Sequence, residues 1–192
     1  VLFRSVKRVT SNKGKRTPGV DNDIWTTPRQ KFQAVNNIKR RGYHPLPLRR
    51  IYIPKKNGKK RPLGIPSFED KLVQEVVRTI LEAIYEEVFE DSSHGFRPNR
   101  SCHSALQQIQ NQFTGITWFV EGDIHACFDS FDHHVLVNIL RERIEDENFL
   151  ALIWKMLKAG YMEQWKFHMT YSGTPQGSGI SPILANIYLN EL

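Results

Sequence analysis

Asp123, in the second half of the chain, is the residue whose type and position most clearly suggest chemistry. Asp123 lies three residues after the short apolar stretch 116–120. Asp129 and Asp132 follow six and nine residues after Asp123. A carboxylate at the end of a buried strand is well placed to bind Mg²⁺, the cation that neutralises a triphosphate during phosphoryl transfer. A lone acid there is more often a helix cap or a surface charge, and Asp132 has the position of an N-cap. Asp123 is therefore a metal-ligand candidate that needs partners.

A cluster of five cations lies between two β-prone stretches, 51–53 and 62–65. The dipeptide Asn57-Gly58 between them is typical of a tight hairpin turn, because both turn positions tolerate positive φ. The cations are Lys55, Lys56, Lys59, Lys60 and Arg61. So crowded a tip repels itself unless anions are near. This favours a phosphate-binding hairpin over the alternative of a merely soluble turn.

The charge of the 192-residue chain is divided unequally. Residues 1–61 contain 18 of the 27 Lys and Arg residues and two of the 20 acidic residues, a net charge of +16, whereas residues 62–192 carry −9. This asymmetry suggests a polyanionic partner, nucleic acid before anionic membrane, while a solvated basic face is an equal alternative on charge alone. A hydrophobic fraction of 40% excludes wholesale disorder. The sequence contains no run of 18 apolar residues, which argues against a transmembrane helix.

The elements that must position these residues interleave irregularly, which indicates an α+β fold rather than a wound parallel sheet. Thr27 and Gln30 predict a capping box, and Ser67 predicts the cap of a core helix over 68–90. After a basic N-terminal segment over 1–23, we predict the remaining elements as follows: a helix from Pro28 to Gly42, the hairpin, a loop over 92–101, a helix through Leu106 and Phe113, a strand over 116–120, a helix capped by Asp132, a helix over 148–159, a hairpin within 161–171, a loop over 174–179 and a final helix from Ser181.

Histidine and cysteine add no separate chemistry. His133 and His134 follow Asp132, but adjacent side chains on a helix diverge, so we expect a surface cap and not a metal site. Cys102 and Cys127 form no disulfide framework, which favours a reducing compartment. Cys127 fits a small buried residue better than a nucleophile.

Five segments, taken together, resemble the motifs of reverse transcriptases encoded by group II introns. Segment 123–129 resembles motif A, where an aspartate and a bulky aromatic five residues later share one site. Segment 173–186 resembles motif B in the form typical of the group II intron enzymes. The other three segments are 17–21 (Thr-Pro-Gly-Val-Asp), 61–66 (Arg-Pro-Leu-Gly-Ile-Pro) and 94–98 (His-Gly-Phe-Arg-Pro). All five occur in the family's order.

The resemblance implies roles for the residues of motif A. Asp123 would be the catalytic carboxylate and would bind Mg²⁺, with the backbone carbonyl of Ile124 as a further ligand. Phe128 would lie under the incoming sugar as a steric gate, because its ring fills the volume that a 2′-hydroxyl needs.

The resemblance also implies contacts with nucleotide and nucleic acid. Gln176 would lie near the nucleotide, and Lys55 and Arg61 would hold its triphosphate. The cations expected to follow the nucleic-acid backbone are Arg49, Arg50, Lys56, Lys59, Lys60 and Arg97. For Arg97 and its neighbour Arg100, internal salt bridges to the acidic part of the chain are an equal alternative.

The fold implied is α+β, with right-hand polymerase fingers and an incomplete palm, helix-rich with short antiparallel strands. Fingers would span 1–115 and a partial palm 116–192. The Tyr-Ala-Asp-Asp box that carries the family's other catalytic carboxylates does not occur in this sequence. We therefore expect a truncated segment that does not polymerise by itself.

The function implied for the full-length protein is RNA-directed DNA polymerisation: dNTP addition to a DNA primer on template RNA, with intron RNA binding and splicing assistance. Two alternatives stay open: an intron-RNA-binding module without catalysis, and a CRISPR-associated, retron or diversity-generating reverse transcriptase. We expect a cytoplasmic protein of a bacterial host with no membrane partner. A homodimer through exposed apolar surface is a further hypothesis.

Overall fold

The computed structural model describes residues 1–12, 14–38, 42–56, 58–174 and 177–192. Within these ranges the chain forms eight helices and four strands, which confirms the α+β class. The helices are α1 (Leu2–Ser11), α2 (Pro28–Asn37), α3 (Phe68–Tyr85), α4 (Cys102–Gln112), α5 (Cys127–Ser130), α6 (His133–Arg141), α7 (Glu147–Leu157) and α8 (Ser181–Leu189). The strands are β1 (Leu48–Pro54), β2 (Lys60–Ile65), β3 (Tyr161–Glu163) and β4 (Lys166–His168).

Helix α1 lies inside the segment expected to be only a basic lead-in. Val6 and Val9 are three residues apart and both 5% exposed, so one face of this cationic helix is apolar and buried. That face packs with Trp25 against Phe68 and Leu72 of α3 and forms a small core. The helical spacing of Val6 and Val9 is visible in the sequence, but the many cations around them made the segment resemble a basic loop.

Local capping signals set the starts of the next helices. The Thr27 hydroxyl accepts from the Gln30 amide, and the Gln30 side chain accepts from the Thr27 amide, so the predicted capping box is confirmed. Ser67 Oγ accepts from the Asp70 amide at 3.1 Å and caps α3, as predicted. The helix ends were predicted less well, since α2 ends at Asn37 and α3 at Tyr85.

The strands form one mixed sheet in the order β2-β1-β3-β4. β1 and β2 form the predicted antiparallel hairpin, with Ile53 opposite Arg61; Asn57 of its turn lies outside the described residues. β3 runs parallel to β1 and antiparallel to β4. The expected short antiparallel strands are thus present in two pairs, and the parallel pair of β1 with β3 is an addition to them, made possible because β3 returns to the sheet through α6 and α7 and not through a tight turn.

The larger core lies between α3, α6, α7 and α8. Its fully buried side chains include Leu81, Leu140, Ile153 and Leu184, each 0% exposed. This core crosses the predicted boundary between residues 115 and 116, and the division into fingers and palm stays a prediction. Among the described residues, no helix is long and apolar enough to cross a membrane.

The predicted strand over 116–120 is wrong. These residues form no strand, and Trp118 and Val120 are 87% and 101% exposed. A strand is stable only when a neighbour pairs with its amide and carbonyl groups, and no described strand pairs with this segment. Asp123 therefore follows an exposed segment without regular structure instead of a buried strand.

The core predicts a clear contrast between two adjacent residues of α3. Leu81→Ala should lower the free energy of unfolding by about 2–5 kcal/mol, because it leaves a cavity among packed side chains. Ile80→Ala, at a position 40% exposed, should cost about 1 kcal/mol or less. Urea unfolding of both variants measures the difference, and equal losses would contradict this core.

Candidate nucleotide and nucleic-acid site

The end of segment 123–129 is joined to the start of segment 173–186 by backbone hydrogen bonds. The Thr174 amide donates to the Phe128 carbonyl at 2.6 Å, and the Gly173 amide donates to the Phe131 carbonyl at 2.7 Å. The Ser172 hydroxyl donates to the Asp129 carbonyl at 3.1 Å. The two motifs expected to share one site therefore meet in the structure.

Gly173 is the point of closest approach. Its φ is +75°, and a Cβ placed there would lie 2.5 Å from the Phe128 carbonyl oxygen and 2.6 Å from the backbone of Asp129. No residue with a side chain fits without moving one of these backbones. Glycine is required at this position for both reasons.

His133 holds the same residue from the other side. It is 1% exposed, and its Nε2 lies 2.7 Å from the Gly173 carbonyl. Because its partner is a carbonyl oxygen, Nε2 donates this bond, and burial lowers the pKa of the His133 ring. The expectation of a surface pair was wrong for His133, because α6 packs against the 172–174 backbone; His134 is exposed as expected. Asp132 caps α6 through the amides of Val135 and His134, and these bonds lower its pKa.

The far end of the loop over 174–179 contacts β2 and α3. Gly177, at φ +102°, lies so close to β2 that a Cβ would be 3.0 Å from the Gly64 carbonyl oxygen. The side-chain oxygen of Gln74 in α3 accepts from the Ser178 hydroxyl at 2.9 Å and from the Gly179 amide at 3.2 Å. Sequence reasoning missed Gln74; a polar residue on the apolar face of α3 was its signal. Gln176 lies outside the described residues.

Segments 17–21 and 94–98 contact the helices that flank the site. A Cβ on Gly19 would lie 2.6 Å from the Ser67 backbone, so segment 17–21 packs on the start of α3. The Asn186 side chain donates to the Gly95 carbonyl at 2.7 Å and joins α8 to the loop over 94–98. Direct contacts thus connect all five motif segments to one another or to α3.

Asp123 is exposed, as is Ile124 at 49%. Burial, and then the charge of Asp123, raise the pKa of the Cys127 thiol, so this carboxylate acts on the start of α5. No group of three His, Cys, Asp or Glu side chains within the described ranges could hold a metal ion. The described residues therefore do not form a complete metal site.

The basic hairpin presents its cations to solvent. Lys55, Lys56, Lys59, Lys60 and Arg61 are all exposed at the described turn and strand ends. The Lys55 amide donates to the Lys59 carbonyl at 2.7 Å, which closes the turn. Because the cations cluster at the free end of β1 and β2, their potentials add over one small surface.

Arg49 and Arg50 are half-buried on β1. The Arg50 guanidinium lies 3.8 Å from the centre of the Tyr161 ring, and Tyr161 stacks on His168 at 4.9 Å. The buried Nε atoms of both arginines have no hydrogen-bond partner among the described residues. Cation–π contact therefore fixes Arg50 while leaving this donor unused.

Arg97 is buried and bonds to other residues of the protein. Its side chain is 4% exposed, and its guanidinium pairs with the Glu86 carboxylate at 3.0 Å. It also donates to the carbonyls of Glu90 and Ser93. These bonds hold the 94–98 loop against α3, so Arg97 is not among the residues that we propose to contact nucleic acid. Sequence could not separate the two roles because Glu86 is eleven positions away.

The segment before β1 is anchored by Asp70, which is 2% exposed. Its carboxylate accepts from the Tyr43 hydroxyl at 2.5 Å, the Leu46 amide at 3.1 Å and the Ser67 hydroxyl at 2.7 Å. Burial raises the pKa of Asp70 and these bonds oppose the shift. The next residue, Lys71, donates to the Thr17 carbonyl at 2.5 Å, and burial lowers its pKa to about 8.

The class of protein follows from comparison with known families. The chain belongs to the reverse transcriptase (RNA-dependent DNA polymerase) family, whose model matches residues 53–192. The model of the N-terminal domain of reverse transcriptase matches residues 2–38, which include α1 and α2.

Individual relatives show which kind of reverse transcriptase the chain is similar to. Over its whole length the chain is 53% identical to group II intron-encoded protein LtrA of Lactococcus lactis subsp. cremoris, covering 33% of that protein. It is 44% identical to protein YkfC of Escherichia coli (strain K12), over 99% of this chain and 52% of YkfC. It is 36% identical to nuclear intron maturase 1, mitochondrial, of Arabidopsis thaliana, over 59% of this chain and 16% of that protein. The resemblance to group II intron-encoded reverse transcriptases is confirmed, and the chain spans about a third of LtrA.

Gly173→Ala should separate the two motifs. Gly115→Ala is the matched control, because Gly115 has φ +83° but nothing within 4 Å of a Cβ. The control should lose about 1 kcal/mol of stability from backbone strain alone. Gly173→Ala should lose about 1–3 kcal/mol more from the collision with Phe128. Urea unfolding compares them, and equal losses would refute the close approach.

Lys71 should make stability rise with pH in alkaline solution. The folded chain releases the Lys71 proton near pH 8 and the unfolded chain near 10.5, so the unfolded state binds more protons between these values. The free energy of unfolding should therefore increase from pH 8 to 10. Lys71→Met should flatten this increase, whereas the exposed control Lys56→Met should keep the wild-type slope. Denaturant unfolding across that range is the measurement. An unchanged slope for Lys71→Met would show that the lowered pKa of Lys71 is not the cause.

Proposed function

We propose that the protein containing residues 1–192 is an RNA-directed DNA polymerase of the group II intron type, which adds dNTPs to a primer 3′-hydroxyl on template RNA. The observation that supports this is the bonding of one loop to both halves of the site. At one end Thr174 bonds to Phe128, and at the other Gly177 approaches β2 of the basic hairpin. The elements expected to contact sugar, base and triphosphate are thereby joined.

The roles follow from charge and shape. Lys55 and Arg61 would neutralise the triphosphate of the incoming nucleotide, and the ring of Phe128 would exclude a ribose 2′-hydroxyl. Arg49, Arg50, Lys56, Lys59 and Lys60 would contact template phosphates, with an affinity that falls as salt rises. Gln176 would contact the nucleotide from the loop.

Divalent cations serve polymerases by stabilising the attacking and leaving oxygens of the displacement. We propose Mg²⁺ as this cation, with the carboxylate of Asp123 and the carbonyl of Ile124 among its ligands. The described residues do not fit a two-metal site by themselves, since Asp123 is the only carboxylate of the proposed set. We therefore derive no step of the reaction through the metal.

An RNA-binding function without catalysis is the second candidate. The observation that favours it is the net charge of +16 on residues 1–61, together with the exposed cationic hairpin. Intron RNA would then be the main partner, and splicing assistance the activity. The similarity to LtrA favours the group II type over CRISPR-associated and retron enzymes. A cytoplasmic, bacterial location and a homodimer stay predictions, and sedimentation at high concentration tests the dimer.

Primer extension on an RNA template tests the proposal in the protein translated from the complete open reading frame that contains residues 1–192. Asp123→Ala should reduce DNA synthesis to background. Phe128→Val should keep dNTP incorporation but raise rNTP incorporation by about tenfold or more relative to dNTP, because the gate is removed. Asp91→Ala is the matched control, since its side chain is 95% exposed and pairs with Arg100 at the surface.

The outcomes separate the candidates. Full activity of Asp123→Ala would show that motif A is assigned wrongly. Tight intron-RNA binding by a wild type that makes no DNA would instead favour the binding module. Unchanged sugar discrimination in Phe128→Val would remove the steric gate from the proposal.

A further inference from the structure

We propose that Gln74 of α3 is a positioning residue for the loop over 174–179, so that its side chain sets the affinity for the incoming nucleotide without touching it. This inference rests on the proposed polymerase function. Nothing in the motif pattern points to Gln74, since it lies outside all five segments.

The geometry is that of a single acceptor shared by two donors. The Gln74 side-chain oxygen accepts from the Ser178 hydroxyl at 2.9 Å and from the Gly179 amide at 3.2 Å. Gln74 and Ser178 are each 5% exposed. Because Gln74 and Ser178 are buried, loss of the acceptor would leave the Ser178 hydroxyl without compensation and would release the more accessible Gly179 amide.

The position of Gln74 within α3 shows that packing alone does not explain it. Val77 and Leu81, which lie on the same side of the helix, are buried and apolar. An amide on this face is stable only when its hydrogen bonds are made. Those bonds go to a loop more than 100 residues away in sequence, so Gln74 couples α3 to that loop and not to its own helix.

Gln74 anchors the far end of the loop, the part next to Gln176 in sequence. Thr174 is held by Phe128 at the start of the loop. At the far end, Gly177 approaches the Gly64 backbone closely, and the Gln74 side chain accepts the hydrogen bonds of Ser178 and Gly179. Gln176, the proposed nucleotide contact, is the next residue in sequence before Gly177. Release of the anchor should therefore weaken nucleotide binding more than it slows the chemical step.

Two substitutions at Gln74 test this in the protein translated from the complete open reading frame. Gln74→Met keeps the length and volume of the side chain but removes the acceptor, whereas Gln74→Glu keeps an acceptor oxygen. In primer extension, Gln74→Met should raise the KM for dNTP by about tenfold while kcat changes by less than about threefold and the KM for template–primer stays unchanged. Gln74→Glu should restore most of the dNTP affinity.

Two further variants and one spectroscopic reading separate positioning from general stability. Thr79→Val removes a hydroxyl of the same helix whose hydrogen bond goes to the Glu75 carbonyl of that helix, and should keep the wild-type KM. Ser178→Ala removes one of the two bonds and should raise the KM for dNTP by about threefold. Hydrogen exchange of the Gly179 amide should accelerate in Gln74→Met and stay slow in Thr79→Val.

The results distinguish this inference from the function on which it rests. A wild type that makes no DNA would defeat the polymerase proposal. A wild type that polymerises, with an unchanged dNTP KM in Gln74→Met, would overturn the role of Gln74 alone. If Gln74→Met fails to fold, Ser178→Ala decides, and an unchanged KM there overturns the role of the anchor.

Discussion

The close approach of Gly173 to the backbone of Phe128 and Asp129 is the constraint on which the arrangement of the site depends. Two segments more than 40 residues apart come within hydrogen-bonding distance there because one of them has no side chain. His133 donates to the Gly173 carbonyl, and its ring meets Trp154 edge-on at 6.1 Å. Helices α5, α6 and α7 and the loop over 174–179 are thus joined around one residue, and the position of Phe128 follows from that junction.

Helix α3 connects this junction to the rest of the chain. Its first turn binds the 17–21 segment and the approach to β1, Gln74 holds the loop, and its second half belongs to the larger core. Glu75 and Glu86 pair with Arg78 and Arg97 in this part of the molecule. The acidic part of the chain therefore uses many of its carboxylates internally, because partly buried cations need partners. The cations of the hairpin remain at the surface, where polyanions can reach them.

The segment that carries Asp123 is the least integrated part of the described chain. Helix α4 buries none of its residues, and Trp118, Phe119 and Val120 are largely exposed. Strand-forming residues do not make a strand without a neighbour, since the free energy of a strand resides in its pairing and in the face that it covers. The exposure of Asp123 has the same origin, and it leaves the carboxylate accessible to solvent.

The sequence by itself determined the features that depend on near neighbours. The caps at Thr27 and Ser67, the hairpin around residues 57–58 and the order of the five motifs are local patterns, and they sufficed to place the chain among reverse transcriptases. Only the tertiary structure decided that Arg97 faces Glu86, that His133 is buried against Gly173 and that Gln74 holds the loop. Each of these depends on a partner brought close by packing, and burial then sets both the cost of an unpaired polar group and the pKa of a titratable one. Residue types and spacing along the chain do not show which distant residues packing brings together. The candidate functional residues could therefore be predicted from sequence, whereas the contacts that position them could not.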